Sequence, residues 1–188
     1  PITNFYLDYP LEDNSITSDF YFIGSHLSDR QDVIIKFGQL AKKNSWKLDF
    51  NIICKEKDIP ELSREYAVID NIKVIGEIRE FQDNLKYICK AKVLIDFVTS
   101  DHSGLSFRVF EALGYEKKLI TTNAEVVHYD FYHPDNIFIW DGKNLNGIEE
   151  FLDKPYKPID PKIKQKYSFS NWIKYLLNLK PYTEITLP

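Results

Sequence analysis

The chain has 188 residues, 44% of them hydrophobic and 28% charged, the balance of a soluble globular protein with one domain-sized core. A formal net charge of −4 and a pI near 5.6 argue against nucleic acid or an anionic membrane as the main partner. No apolar run approaches a membrane span, no signal peptide is visible, and Cys54 and Cys89 sit in apolar stretches, so they read as reduced core residues of a cytosolic chain.

Residues 1–19 hold two prolines and no sustained period; they read as a lead-in segment or linker with at most one short strand. "FYFIGS" (Phe20–Ser25) then gives a buried-strand signal closed by Gly24. "DRQDVIIKFGQLAKKN" spaces Val33, Ile34, Phe37, Leu40 and Ala41 as a helix, with Asp29 as its expected N-cap and Asn44 as its stop. "WKLDFNIIC" reads as a second strand, "IPELSREYA" as a short helix or turn, and "IKVIG" as a third strand ending at Gly76. "EFQDNLKYICKA" is helical, with Phe81, Leu85 and Ile88 on one side, and "KVLIDFV" is a fourth strand. "SGLSFRVFEALG" and "KKLITT" form the next helix and strand, "NIFIW" (Asn136–Trp140) is a sixth strand, and residues 144–153 are helical. "DKPYKPIDP" reads as a Pro-rich crossing before an amphipathic helix around "NWIKYLLN".

Strands alternating with helices imply βαβ units and a parallel sheet with helices on both faces, and near-continuous apolar strands fit burial on both sides. The expected fold is α/β: a Rossmann-like parallel sheet flanked by helices over residues 20–155. Residues 1–19 precede it, and a crossing segment with a closing helix over 156–188 follows it. The chain contains no methionine, which suggests a fragment of a longer protein.

In an open parallel sheet, ligands bind outside the carboxyl ends of the strands. That picks the loops "GSHLSDR", "GEIRE", "TSDHSG" and "TTN". The "HSGLS" turn is the best candidate, since Gly104 allows close approach and the helix that follows offers N–H groups and a positive dipole end to an anion. No G-x-G-x-x-G and no G-x-x-x-x-G-K-[ST] occurs, which weakens NAD enzymes and P-loop nucleotidases. Within the helix, Arg108 and Glu111 stand three apart among apolar residues. They suit either a mutual ion pair or two ligand contacts, Glu111 to sugar hydroxyls and Arg108 to phosphate; the pattern leaves both open.

The stretch "IKVIGEIREFQDNLKYICKAKVLIDFVTSDHSGLSFRVFEALGYEKKLITTN" (Ile72–Asn123) resembles the nucleotide-sugar-binding, C-terminal half of GT-B glycosyltransferases of the lipopolysaccharide and capsular polysaccharide type. "VIG", "AKVLIDF", "SGLSFRVFEALG" and "KKLITTN" occupy the family's pieces in order. The resemblance implies that Glu111 holds the nucleotide ribose. It implies that Gly104, Leu105 and Ser106 form the turn whose amides meet the donor's diphosphate or sugar, with Ser103 beside them. It also implies that Ile78 reads the base through its backbone, that Gly24 and Ser25 form the loop after the first strand, and that Arg30 neutralises the diphosphate. Arg108 has no firm counterpart, and its phosphate role is inferred from its position. One departure stands out. Many retaining members carry two glutamates with seven residues between them, and the first position here is Ser103, so the stereochemical outcome stays open.

The resemblance further implies an enzyme that moves a sugar from a nucleotide diphosphate sugar to a glycan or lipid-linked acceptor, with no cofactor. Its catalytic residues are not identifiable beyond Arg30 and Arg108 as stabilisers of the leaving group. An N-terminal acceptor-binding domain would be missing from this chain, leaving it able to bind nucleotide and unable to turn over efficiently. The location implied is cytoplasmic, with the full-length enzyme able to lie peripherally at the inner membrane face. "YSFSNWIKYLL" resembles the family's closing helix, with Trp172 and Leu176 expected in the core. The histidines of "HYDFYH" (His128–His133) match no metal-ligand spacing, so no metal is expected. His26 and His102 lie in the loops at the strand ends, and Asp96 ends the fourth strand. Two other readings are kept: a non-catalytic Rossmann-like module that binds a protein, and an enzyme of nucleotide-sugar metabolism such as an epimerase.

Overall fold

The computed structural model describes residues 2–10, 15–76, 80–98 and 104–188, and only the backbone of residues 81 and 82. The chain forms two units, residues 11–100, and residues 101–188 together with 1–10. Both are parallel α/β.

In the first unit the strands are β1 (Ser18–Ser25), β2 (Leu48–Ile53), β3 (Ile72–Ile75) and β4 (Ala91–Asp96), in the order β3-β2-β1-β4. The pairings β1–β2, β1–β4 and β2–β3 are all parallel. Consecutive buried residues in β1 (Phe20, Tyr21, Phe22) and β4 (Val93, Leu94, Ile95) mark strands covered on both faces. The crossovers are α1 (Ser28–Lys43), α2 (Ile59–Tyr66) and α3 (Phe81–Cys89). Helix α1 buries Ile34, Phe37, Gly38 and Ala41, the spacing of a single helical face. Phe37 stacks on Phe50, and both meet Phe97 edge-on. A Cβ on Gly38 would overlap Ile69, so α1 and the segment before β3 touch backbone to side chain there. Asn44 closes α1 as expected, but Asp29 does not cap it. The helix starts at Ser28 with Leu27 in the capping position, and Asp29 lies in the first turn, where a carboxylate still favours the positive helix end.

The second unit holds α4 (Phe107–Gly114), β5 (Lys118–Thr121), β6 (Ile137–Ile139), α5 (Ile148–Asp153), α6 (Pro161–Lys166) and α7 (Phe169–Leu176). Strands β5 and β6 pair in parallel. Helix α6 starts at Pro161, the last residue of the stretch expected to be a Pro-rich crossing, and runs to Lys166. Asp160 accepts from the Lys162 N–H and Pro161 takes the first helical turn, where a missing N–H costs nothing. Residues 2–8 form a strap across this unit. Tyr6 N–H donates to Tyr167 O at 3.1 Å, Phe169 N–H to Tyr6 O at 2.8 Å, and Trp172 Nε1 to Thr3 O at 2.9 Å. The expected core positions of α7 are corrected: Trp172 is half-buried and Leu176 is 46% exposed, because the strap covers only one side of that helix.

The "HYDFYH" segment is a packing element. Asp130 accepts from Lys166 Nζ at 2.9 Å and from the Tyr167 hydroxyl at 2.8 Å, and Phe131 packs against Phe110 and Tyr167.

Candidate functional site

In the first unit, a cleft of about 700 Å³ opens at the carboxyl ends of β1, β2 and β3. Gly24 and Ser25, expected in the loop after the first strand, are instead the last residues of β1, paired with Ile52 and Ile53 of β2; His26 follows β1, Cys54 and Lys55 follow β2, and Gly76 follows β3. This is where the parallel topology leaves room, since each chain turns away into a helix. Among the described residues, three carboxylates, Asp58, Glu61 and Glu65, line the cleft beside one ammonium, Lys55. Such walls favour a ligand rich in hydrogen-bond donors over a bare anion. Gln31 Nε2 donates to Glu65 Oε2 at 2.6 Å, and His26 Nδ1 lies 3.3 Å from the Tyr66 hydroxyl. Burial pushes Tyr66 up to about 12, so its hydroxyl stays protonated at neutral pH. Cys89 is buried, as expected, whereas Cys54 is a half-buried wall of the cleft.

Gly24, Ser25 and Arg30 come together beside this cleft. Arg30 Nη2 donates to the Ser25 carbonyl, and the guanidinium stands over the Phe22 ring at 5.5 Å. A Cβ at Gly24 would lie 2.8 Å from Arg30 Nη2; glycine here makes room for the guanidinium. Arg30 Nε is buried with no hydrogen-bond partner among the described residues. Burial draws the Arg30 pKa down, opposed by Asp29, Tyr66 and Asp96. A cation held in this way at the loop after β1 is prepared for an acidic ligand. Asp96 itself is buried at the end of β4.

In the second unit, Gly104, Leu105 and Ser106 form the turn into α4, and Arg108 and Glu111 lie on the helix itself. Gly104 has φ +93°, a backbone state that glycine adopts without strain, and among the described residues nothing lies within 4 Å of where its Cβ would stand. Leu105 is buried and anchors the turn. Ser106 precedes α4 without a side-chain capping bond. The two charges form an ion pair, with Arg108 Nη1 2.6 Å from Glu111 Oε2, and they are buried: 11% and 6% of their side chains are exposed. Burial raises the Glu111 pKa, and the Arg108 guanidinium only partly offsets this. Ion pairing and burial, left open by the spacing, therefore hold together. Ile78, Ser103 and His102 lie outside the described residues.

Two residues supporting this turn carry no local sequence signal for that role. Asn123, in the "TTN" loop after β5, donates from Nδ2 to Gly104 O at 3.0 Å, and Asn4 donates from Nδ2 to Leu105 O at 2.8 Å. The loop was recognisable from its place after a strand, but the partner of each amide was not.

No family model matches the chain, and no curated protein matches it. Solved structures do. The C-terminal domain of LpcC, a glycosyl transferase group 1 family protein from Francisella tularensis, aligns at 15% identity with a TM-score of 0.53, covering 94% of this chain and 97% of that domain. The lipopolysaccharide outer core galactosyltransferase WaaB aligns at 16% identity and TM-score 0.57; this chain is covered to 94% and spans 53% of WaaB. A UDP-GlcNAc 2-epimerase from Neisseria meningitidis, solved with UDP-GlcNAc, aligns at 16% identity and TM-score 0.50, over 89% of this chain and 44% of that one. The fold is thus Rossmann-like and GT-B-related.

Proposed function

We propose that this chain is the donor-binding domain of a glycosyltransferase, holding a nucleotide diphosphate sugar whose glycosyl group passes to a glycan or lipid-linked acceptor in surface polysaccharide synthesis. The observation that carries the reading is the buried Glu111–Arg108 pair on α4, the helix that follows the Gly104 turn, on a fold of glycosyltransferase domains. A buried carboxylate beside a cation is a preorganised acceptor for the ribose hydroxyls, and Arg108 favours its ionised form against burial and orients it.

As the glycosyl bond breaks, negative charge grows on the departing nucleoside diphosphate. Arg30 and the 104–106 amides are the groups assigned to meet it, with Arg108 adding its charge at the start of α4. Gly24 and Ser25 would let the diphosphate approach the backbone, Ile78 would read the base, and Ser103 would flank the donor sugar. A general base, where one is used, would come from an acceptor-binding domain outside this chain. No cofactor enters the scheme. The enzyme so described would work in the cytoplasm, with the full-length protein lying peripherally on the membrane that carries its acceptor.

Epimerisation is the second reading, favoured by the likeness to the epimerase; it shares the donor class and differs in the fate of the sugar. A thermal-shift panel of UDP, GDP, ADP and their sugars tests the shared premise. A ligand at about 100 times its Kd should raise the melting temperature by about 5–10 °C, and Glu111→Ala should remove the rise. A flat response to every member of the panel would remove the basis of both readings.

A further inference from the structure

We propose that Asn123 and Asn4 are positioning residues that aim the backbone amides of the 104–106 turn at the donor; this rests on the donor-binding reading above. A trans peptide is planar, so the carbonyl of one residue and the N–H of the next point in opposite directions. The peptides of this turn are trans. Asn123 Nδ2 fixes the Gly104 carbonyl at 3.0 Å, and Asn4 Nδ2 fixes the Leu105 carbonyl at 2.8 Å. Holding those two carbonyls therefore sets the directions of the Leu105 and Ser106 N–H groups, each away from its asparagine. The buried Leu105 side chain prevents the segment from rotating as a whole, and among the described residues none lies within 4 Å of the Gly104 Cβ position.

Each asparagine is itself held. Asn123 is buried; its Oδ1 accepts from the Glu125 N–H at 3.0 Å, and its own N–H donates to Thr121 Oγ1 at 3.0 Å. Asn4 lies on the strap, between Thr3, whose carbonyl accepts from Trp172, and Phe5, whose ring meets Phe107 at 5.3 Å. Phe107 is the first residue of α4, so the strap braces the turn and the helix start together. Donors fixed before the ligand arrives bind more tightly than donors that must be ordered on binding.

The test uses the chain as it stands, with Asn123→Asp, Asn4→Ala and Asn4→Asp. Asn123→Asp keeps the acceptor for Glu125 and turns the donor to Gly104 into a carboxylate oxygen; because it also adds negative charge, Asn4→Ala, which adds none, is the control for charge repulsion. Two readouts are taken: calorimetric Kd for UDP, GDP and ADP, and amide hydrogen exchange of Leu105 and Ser106 without ligand. The expected result is a Kd about tenfold higher for the bound nucleotide in each variant, with exchange at those two amides at least about tenfold faster and helix content unchanged. Wild-type Kd values and wild-type exchange in Asn123→Asp and Asn4→Ala would overturn the proposal while leaving the donor reading intact. A wild type that binds none of the three nucleotides overturns the donor reading and this proposal with it. The exchange data then still show whether the asparagines hold the turn.

Discussion

Arg108 and Glu111 meet at 2.6 Å on α4 with both side chains almost fully buried. A buried pair gains in Coulomb attraction, but it loses the hydration of both ions, so such pairs seldom repay their burial in stability alone.

The pair makes stability depend on pH in a defined direction. Burial lifts the Glu111 pKa above its ordinary 4.5. Between the ordinary and the raised value, the folded chain holds more protons than the unfolded one, so stability falls as pH rises through that window. Glu111→Gln lacks this component. Urea unfolding of both proteins from pH 4.5 upward should show the Gln variant gaining relative to wild type as pH increases. A constant difference across the series would mean that Glu111 does not titrate abnormally.

Arg30 should matter for diphosphates and little for nucleosides. Arg30→Ala is expected to weaken nucleoside diphosphate binding by about 10- to 100-fold, the loss of a charged hydrogen bond, and to leave nucleoside binding within about twofold. Gly24→Ala should imitate it, because its new methyl meets the guanidinium end of a flexible side chain and displaces it at small cost to stability. Equal losses for nucleoside and diphosphate would move Arg30 out of the phosphate role.

The strap can be tested through Gly114, where a Cβ would overlap the Tyr6 ring. Gly114→Ala should destabilise by about 1–3 kcal/mol through overpacking. Combining it with Tyr6→Ala should give a cost well below the sum of the two. Strict additivity in denaturant unfolding would show that the strap does not seat there.

Asp130 is expected to be structural. Its removal leaves the buried Lys166 ammonium with Thr186 Oγ1 at 2.8 Å and the Tyr167 ring at 5.1 Å among the described residues, and Asp130→Ala should cost about 2–4 kcal/mol. Added zinc should leave the melting temperature of wild type unchanged. A zinc-dependent rise lost in His128→Ala would restore a metal role to that segment.

Much of the fold was legible because strands buried on both faces leave near-continuous apolar runs, as in "FYFIG" and "VLIDF", and because helical spacing marks the buried face of α1. What stayed hidden follows from physics that is not local. Proline signals both a break and a first helical turn, so α6 was concealed behind "DKPYKPIDP". The amphipathic pattern of α7 says which side is apolar, not whether anything covers it, and Leu176 proved exposed. At the site, the three-residue spacing of Arg108 and Glu111 and the glycine of the turn could be read directly. The bond from Asn4 to Leu105 spans 101 positions and has no local pattern. The carboxylates of the cleft come from α2 and the segment before it; "IPELSREYA" read only as a short helix or turn, with nothing local to place it at the strand ends.

The central claim, that Glu111 holds a nucleotide ribose, is tested most directly by a two-by-two titration. Wild type and Glu111→Ala are each titrated with the best-binding nucleoside diphosphate and its 2′,3′-dideoxy counterpart. Wild type should lose about 10- to 100-fold in affinity when the hydroxyls are removed, as for hydrogen bonds to a charged acceptor, and Glu111→Ala should bind both ligands equally. A Glu111→Ala variant that still distinguishes the two ligands as strongly as wild type would contradict the account.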